Sequence, residues 1–243
     1  MLKRIFTWLR SLRLTLALVL YMVITGGLST FVPQHLEGQE YFQLYSPSLA
    51  RLVLAVGMDD FFSSLPFLIP AGLFFVNLLA CTVFRFRREL RKKGRKNFGP
   101  DILHGGLILF MISAALSVFN RMDGTLRLGV GESALLPNGN TLILDDLEYR
   151  QYDNGRPLAW ISYLTVLEGE RILYTARPLE VNHPLKLNGF SLYQYSYGNM
   201  GGREYTVIMA VRDPGYTLVF ISFILCIAGL GLTALYKLRR NYG

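Results

Sequence analysis

Two patterns of apolar and polar positions divide this chain. Four long runs carry no Asp, Glu, Lys or Arg: residues 14–32, 61–84, 102–119 and 215–236. A bilayer core of roughly 30 Å takes about 20 apolar residues in helical form, so each run predicts a transmembrane helix. The first is read as a retained span. It is long, and Gly26-Gly27-Leu28-Ser29-Thr30 matches a small-residue cleavage site poorly. Pro66 and Pro70 near the start of the second run predict a kink. Asn77, deeper in it, predicts a hydrogen bond to a neighbouring helix.

Between the third and fourth runs the period shortens. Apolar residues come in short β-type runs at 125–130, 134–136, 141–144, 148–152, 159–167, 171–176, 190–195 and 205–211. Asn138-Gly139, Asp153-Asn154-Gly155 and Glu168-Gly169-Glu170 punctuate them as turns. In 159–167, Ile161, Tyr163, Thr165 and Leu167 fall on one face. About seven short strands with regular turns predict an antiparallel β-sandwich or open barrel. Gly129-Val130-Gly131-Glu132 resembles a phosphate loop only superficially, because a hairpin and not a helix follows it. In 35–60, Leu49, Leu52, Val53 and Val56 follow Pro47 at helical spacing, predicting a short interfacial helix. The fold class is therefore membrane α plus β. Three spans lie in 1–119, a β-domain in 120–214, and a fourth span with a basic tail in 215–243.

Composition agrees. Of 243 residues, 51% are hydrophobic and 17% charged, against about 25% charged in soluble domains. That argues against a disordered chain, a soluble nucleic-acid binder and a disulfide scaffold. The net charge of +8 is unevenly spread. Lys3, Arg4, Arg10 and Arg13 precede the first span, and Arg85, Arg87, Arg88, Arg91, Lys92, Lys93, Arg95 and Lys96 fill the loop between the second and third. Lys237, Arg239 and Arg240 follow the fourth, and only Glu89 and Asp101 oppose them on these segments. The positive-inside rule then puts both termini and this loop in the cytoplasm and the β-domain on the other side. The basic run reads as topology and anionic lipid contact, with no nucleic-acid partner.

No catalytic constellation stands out. CxxC, CxxCH, GxSxG, HExxH and Walker patterns are absent. Cys81 and Cys226 both fall inside predicted spans, where a thiol usually packs without reacting. His104 is more informative. It lies about one turn into the third span, in Asp101-Ile102-Leu103-His104-Gly105-Gly106. An ionisable side chain there is a functional-site hypothesis by default, and the glycine pair would admit a flat ligand or another helix. From the residues alone, His104 is either an axial ligand to haem iron or an interfacial polar side chain. His35 and His183 are either outer ligands or solvated loop histidines.

The order of these segments resembles the ResB (CcsB) family of the System II cytochrome c biogenesis pathway, in a short form. The resemblance rests on Thr30-Phe31-Val32-Pro33-Gln34, Tyr45-Ser46-Pro47, Asn77-Leu78-Leu79-Ala80-Cys81-Thr82 and Leu103-His104-Gly105-Gly106-Leu107. It continues through Val130-Gly131-Glu132-Ser133, Leu136-Pro137-Asn138-Gly139, Asn154-Gly155-Arg156-Pro157, Val181-Asn182-His183-Pro184-Leu185 and Gly189-Phe190-Ser191-Leu192-Tyr193-Gln194. It implies a subunit that acts not as an enzyme alone but within a holocytochrome c synthase-type complex. Such a complex moves non-covalent haem b outward and presents it to apocytochrome c.

The implied partners are a ResC/CcsA-type membrane protein, apocytochrome c, a thiol-disulfide reductant protein and membrane lipids. The family's tryptophan-rich haem site belongs to the partner, and this chain has only Trp8 and Trp160. The resemblance also implies that His104 is the subunit's ligand to a transmembrane haem, with His35 and His183 as further candidates and no metal beyond haem iron. The location implied is the inner membrane, or a thylakoid with the β-domain lumenal. Tyr193, Tyr195 and Tyr197 are candidate contacts for the apocytochrome. Two alternatives are a scaffold subunit without haem ligation and a membrane transporter or sensor with an extracytoplasmic domain.

Overall fold

The computed structural model describes residues 7–187 and 189–241, so Lys3 and Arg4 lie outside the described residues. The chain divides into two units: the segments before Phe119 and after Gly215, which are helical, and Phe119–Gly215 between them.

The helical unit holds α1 (Leu12–Ser29), α2 (Gly38–Leu44), α3 (Pro47–Ala55), a 3₁₀ turn (Phe61–Ser63), α4 (Leu65–Arg91), α5 (Gly99–Asn120) and α6 (Tyr216–Asn241). Among the described residues, α1, α4, α5 and α6 are long and apolar enough to cross a membrane. The protein is thus a multi-pass membrane protein. Only 6% of the α1 window and 11% of each of the others is buried within the chain. Most apolar side chains on these helices therefore face outward, as they do against lipid or a partner's helices.

Polar side chains fasten α1 to α4. Thr15 Oγ1 donates to Asn77 Oδ1 at 2.7 Å, and Asn77 Nδ2 donates to the Leu9 carbonyl at 2.6 Å. The helix bond expected of Asn77 is present, and its amide is 1% exposed. Pro70 lies inside α4 and has no N–H to give the carbonyl four residues back. That carbonyl belongs to Pro66, and it accepts the Tyr21 hydroxyl of α1 at 3.1 Å. Gln34 plays a similar part beyond α1. Its Nε2 donates to the Val32 and Met58 carbonyls, both at 2.8 Å, while its Oε1 accepts the Phe61 N–H at 3.2 Å.

Residues 35–60 form two short helices where the sequence predicts one. Tyr41 of α2 packs on Ala50 and Val53 of α3, and all three are buried. Leu49, Leu52 and Val56 stay exposed, an apolar face suited to the interfacial placement expected of this segment.

The other unit has eight strands: β1 (Met122–Gly129), β2 (Ser133–Leu135), β3 (Asn140–Gln151), β4 (Pro157–Glu168), β5 (Arg171–Glu180), β6 (Leu185–Leu187), β7 (Phe190–Met200) and β8 (Arg203–Arg212). They form two four-stranded antiparallel sheets, ordered β1-β8-β7-β6 and β2-β3-β4-β5. This is the sandwich alternative and not the open barrel. Leu142, Leu144, Leu164, Val166, Leu192 and Ile208 lie at its centre, all fully buried. The Asn138-Gly139 turn forms as expected, with Gly139 at φ 85° and its N–H on the Leu136 carbonyl.

β3 departs from the sequence reading, β4 shows which of its faces is inward, and the turn after β1 agrees with the rejection of a phosphate loop. Runs 141–144 and 148–152 are one strand, β3, interrupted by a bulge between Leu144 and Asp146. In β4 the face that lines the core is Ser162, Leu164 and Val166, whereas Tyr163, Thr165 and Leu167 point away and only Ile161 of that row is buried. The Gly129 N–H is taken by Glu132 Oε2 at 2.8 Å, so a carboxylate of the chain itself fills the place an anion would need.

Buried Ser162 needs partners and finds them across the sandwich. Its Oγ bonds Gln194 Oε1 at 2.6 Å and Thr206 Oγ1 at 2.9 Å, and Gln194 Nε2 donates to Thr206 Oγ1 at 2.8 Å.

On the surface, Glu148 accepts Arg150 Nε at 2.7 Å and the Tyr163 hydroxyl at 2.8 Å. The Arg150 bonds, and then the tyrosine, hold its carboxyl below the usual range. A folded-state value below the unfolded one stabilises the fold above the ordinary carboxylate range, and the benefit disappears as pH falls through the lowered value. Glu148→Gln is therefore expected to lower the thermal midpoint of the β unit at neutral pH, with the gap to the native chain closing in acid. Melting followed by circular dichroism from pH 7 to pH 3 checks this; a gap constant across that range would refute it.

Candidate functional site

The charged ends of the helices gather at one end of the helical unit. The Arg10 guanidinium lies 4.0 Å from the Phe84 ring centre, bringing the segment before α1 against the end of α4. Lys92 Nζ and Arg95 Cζ lie 5.8 and 6.0 Å from the Tyr236 ring, bringing the α4–α5 loop against the end of α6.

At this end α4 and α5 are clamped together. Arg85 of α4 forms an ion pair through Nη1 with Asp101 Oδ2, and its Nη2 donates to the Asn97 carbonyl at 3.1 Å. Glu89 accepts the Asn97 N–H at 2.7 Å and Lys92 Nζ at 3.2 Å. Asn97 Oδ1 in turn accepts the Gly99 N–H at 3.1 Å, which supplies one of the partners that a helix start lacks. Asp101 sits in the first turn of α5, where the helix dipole favours a carboxylate. It is 7% exposed, and a carboxylate so buried requires a partner such as Arg85.

His104 follows one turn later on α5. It is half-buried, and its Nδ1 is sealed from solvent without a hydrogen-bond partner. Four buried side-chain polar atoms among the described residues lack a partner: Asp101 Oδ1, His104 Nδ1, Asn140 Nδ2 and Trp160 Nε1. Two of these four belong to α5 and stand three residues apart. Leu107, one turn further along the same face, is exposed.

The two glycines after His104 do different things. Gly106 is buried against α6: an added Cβ would stand 2.7 Å from Cys226 Sγ and 2.9 Å from the Cys226 nitrogen. Gly105 has open space, with nothing within 4 Å of such a Cβ. Of the flat ligand and the helix that the glycine pair could admit, the helix has taken Gly106, and Gly105, next to His104 in sequence, stays open. The same seam continues through Gly99 and Leu103 of α5 and Gly229 and Thr233 of α6. Cys226 is a free thiol within it, its Sγ 3.8 Å from the Leu103 carbonyl, and Cys81 is also free.

Within the helical unit the structure does not bring His35 to His104. His35 lies at the opposite end of α4, where its N–H meets the Asp59 carbonyl. From Leu65 to Arg85 that helix rises about 30 Å at 1.5 Å per residue. The His35 side chain is 72% exposed, and its Nδ1 stands 3.8 Å from Asp60 Oδ1. His183 belongs to the β unit, is 79% exposed and stands 3.9 Å from Glu180 Oε2. Tyr193 and Tyr195 are exposed on β7. Tyr197 is exposed as well, and its ring also stacks on Tyr149 and lies tilted against Trp160, at ring separations of 5.4 and 4.7 Å.

Arg85 and Asp101 do not emerge from the sequence reading as site residues, because both count there only as topology charges. The available signal was an acidic residue three positions before an intramembrane histidine.

Known proteins resemble this chain along much of its length. A cytochrome c biogenesis protein CcsB of Prochlorococcus marinus subsp. pastoris (strain CCMP1986 / NIES-2087 / MED4) is 25% identical over 262 aligned positions, covering 79% of this chain and 60% of that protein. One of the same description from Synechococcus sp. (strain CC9902) is 25% identical, covering 90% of this chain and 72% of that one. The chain thus spans about 60% of the length of the first of these curated relatives. A solved cytochrome c heme lyase CcmF superposes with a TM-score of 0.46 at 16% identity, over 77% of this chain and 34% of that one. That overlap is too loose to match residues. Residues 12–96 and 91–209, from the start of α1 into β8, match the ResB-like family, and the chain belongs to it.

Proposed function

We propose that this chain is a ResB-type subunit of a cytochrome c biogenesis complex, and that His104 gives one axial nitrogen to haem b held between α5 and a partner. The supporting observation is the imidazole itself. It stands on a membrane helix, with Nδ1 sealed and open space at the neighbouring Gly105. These residues suit a porphyrin edge approaching α5 from outside the chain. A ResC/CcsA-type partner supplies the opposing ligand and the wall that this chain lacks.

The clustering of Arg10, Arg85, Lys92, Arg95 and Tyr236 at one end favours a cytoplasmic, anionic-lipid-facing location for that end. Along the chain one span, α5, leads from that end into the β unit and one span, α6, leads back; the β unit then works outside with apocytochrome c and the thiol-disulfide reductant. Haem b supplies the iron and porphyrin that become the cytochrome's centre. This chain's part is to hold and orient that cargo. His35 and His183 are secondary candidates on the outer side.

His104→Ala in the chain purified with its partners from its own membranes is expected to lose the haem absorbance and c-type cytochrome assembly. His35→Ala and His183→Ala are expected to keep the His104-dependent absorbance. Full haem content and normal cytochromes after His104→Ala would leave only a scaffold.

A further inference from the structure

Asp101 is placed for more than an ion pair. Arg85 engages only Oδ2, while Oδ1 is buried with no partner. A buried acceptor left unpaired costs about 1–3 kcal/mol. One turn along the same helix, His104 Nδ1 is buried and unpaired as well, and residues three apart on a helix are neighbours. A single hydrogen bond from Nδ1–H to Oδ1 would satisfy both. It would also fix the ring tautomer, because a proton held on Nδ1 leaves the Nε2 lone pair free for a metal. Metal-ligating histidines commonly give their second nitrogen to a carboxylate in this way. Arg85 completes the set: its guanidinium holds the carboxylate through Oδ2, and its bond to the Asn97 carbonyl anchors the pair to the start of α5.

We propose that Asp101, held by Arg85, is a positioning residue that accepts the Nδ1–H of His104 and so aims Nε2 at haem iron. This rests on the axial-ligand role of His104, and catalytic or ligating contact is left to His104 itself.

The test uses the complex purified through this chain from its own membranes. In His104→Gly, imidazole and 1-methylimidazole are added as replacement ligands and haem absorbance is recorded. Imidazole has an N–H to give Asp101 and 1-methylimidazole has none. Imidazole is expected to restore haem at an about 10- to 100-fold lower concentration, the usual effect of losing such a partner; equal concentrations overturn the proposal.

A second measurement leaves His104 in place. Asp101→Asn is expected to raise the midpoint potential of the bound haem, because a weaker acceptor makes the imidazole less basic, and Asp101→Glu to bring it back. An unchanged potential in Asp101→Asn overturns the proposal, and this measurement decides where neither base restores haem. If Asp101→Asn does not accumulate, the two bases decide alone. Full haem in His104→Gly without any added base would instead sink the axial-ligand reading, and this inference with it.

Discussion

Gly229→Leu is expected to drive α6 off α5. A Cβ at position 229 would stand 2.7 Å from the Gly99 carbonyl oxygen and 2.8 Å from Leu103 Cα. Both neighbours are backbone in a helix and have no rotamer to give. Overfilling a packed contact costs about 1–3 kcal/mol even when side chains can move, and here the whole helix must move. The readout is Cys226, whose thiol packs against Gly106 in the same seam. The variant is expected to react with a maleimide in mild detergent several-fold faster at Cys226 and, on the proposed ligand role of His104 on α5, to lose haem. Gly231→Leu is the control, since nothing lies within 4 Å of a Cβ there. Equal Cys226 labelling in the two variants would show that the seam is not a tight contact.

Leu164→Ala is expected to produce the largest loss in the β unit. Leu164 is fully buried at the centre of the sandwich. Removing so enclosed a leucine costs about 2–5 kcal/mol, part transfer and part cavity. For a unit of this size that lowers the melting midpoint by on the order of 10 °C or more. Leu167→Ala, on the outward face of the same strand, is expected to shift it by only a few degrees. Thermal melts of the β signal in the detergent-solubilised full chain compare the two. A larger loss at Leu167 would mean that the strand is turned the other way.

That comparison bears on what the sequence disclosed. The four spans were legible because twenty apolar residues without a charge have few other destinations, and their ends moved by only a few residues or one to two turns. Turns at Asn138-Gly139 and Asn154-Gly155 were legible because glycine at positive φ is a local requirement. The inward face of β4 was not. Its buried row includes Ser162, and a serine reads as outward until Gln194 and Thr206 arrive from β7 and β8 to satisfy it. β6 was missed because three residues, Leu185-Lys186-Leu187, become a strand only by pairing with β7.

The candidate site divides the same way. His104 stood out by residue type and position alone. The seam of Gly99, Gly106 and Gly229, and the clamp of Arg85 on Asp101, are contacts between segments remote in sequence, and no local pattern announces them.

Ser162, Gln194 and Thr206 have one more effect. Hydrocarbon alone would let the two sheets slide over one another by a residue pair with little change in buried area. Sliding would separate these three groups and strand each one in oil, so every misaligned stacking is penalised while the native one is not. They act as an index pin, trading a little cohesion for a single alignment of the sheets. A domain that must present the same surface on every copy gains from that trade.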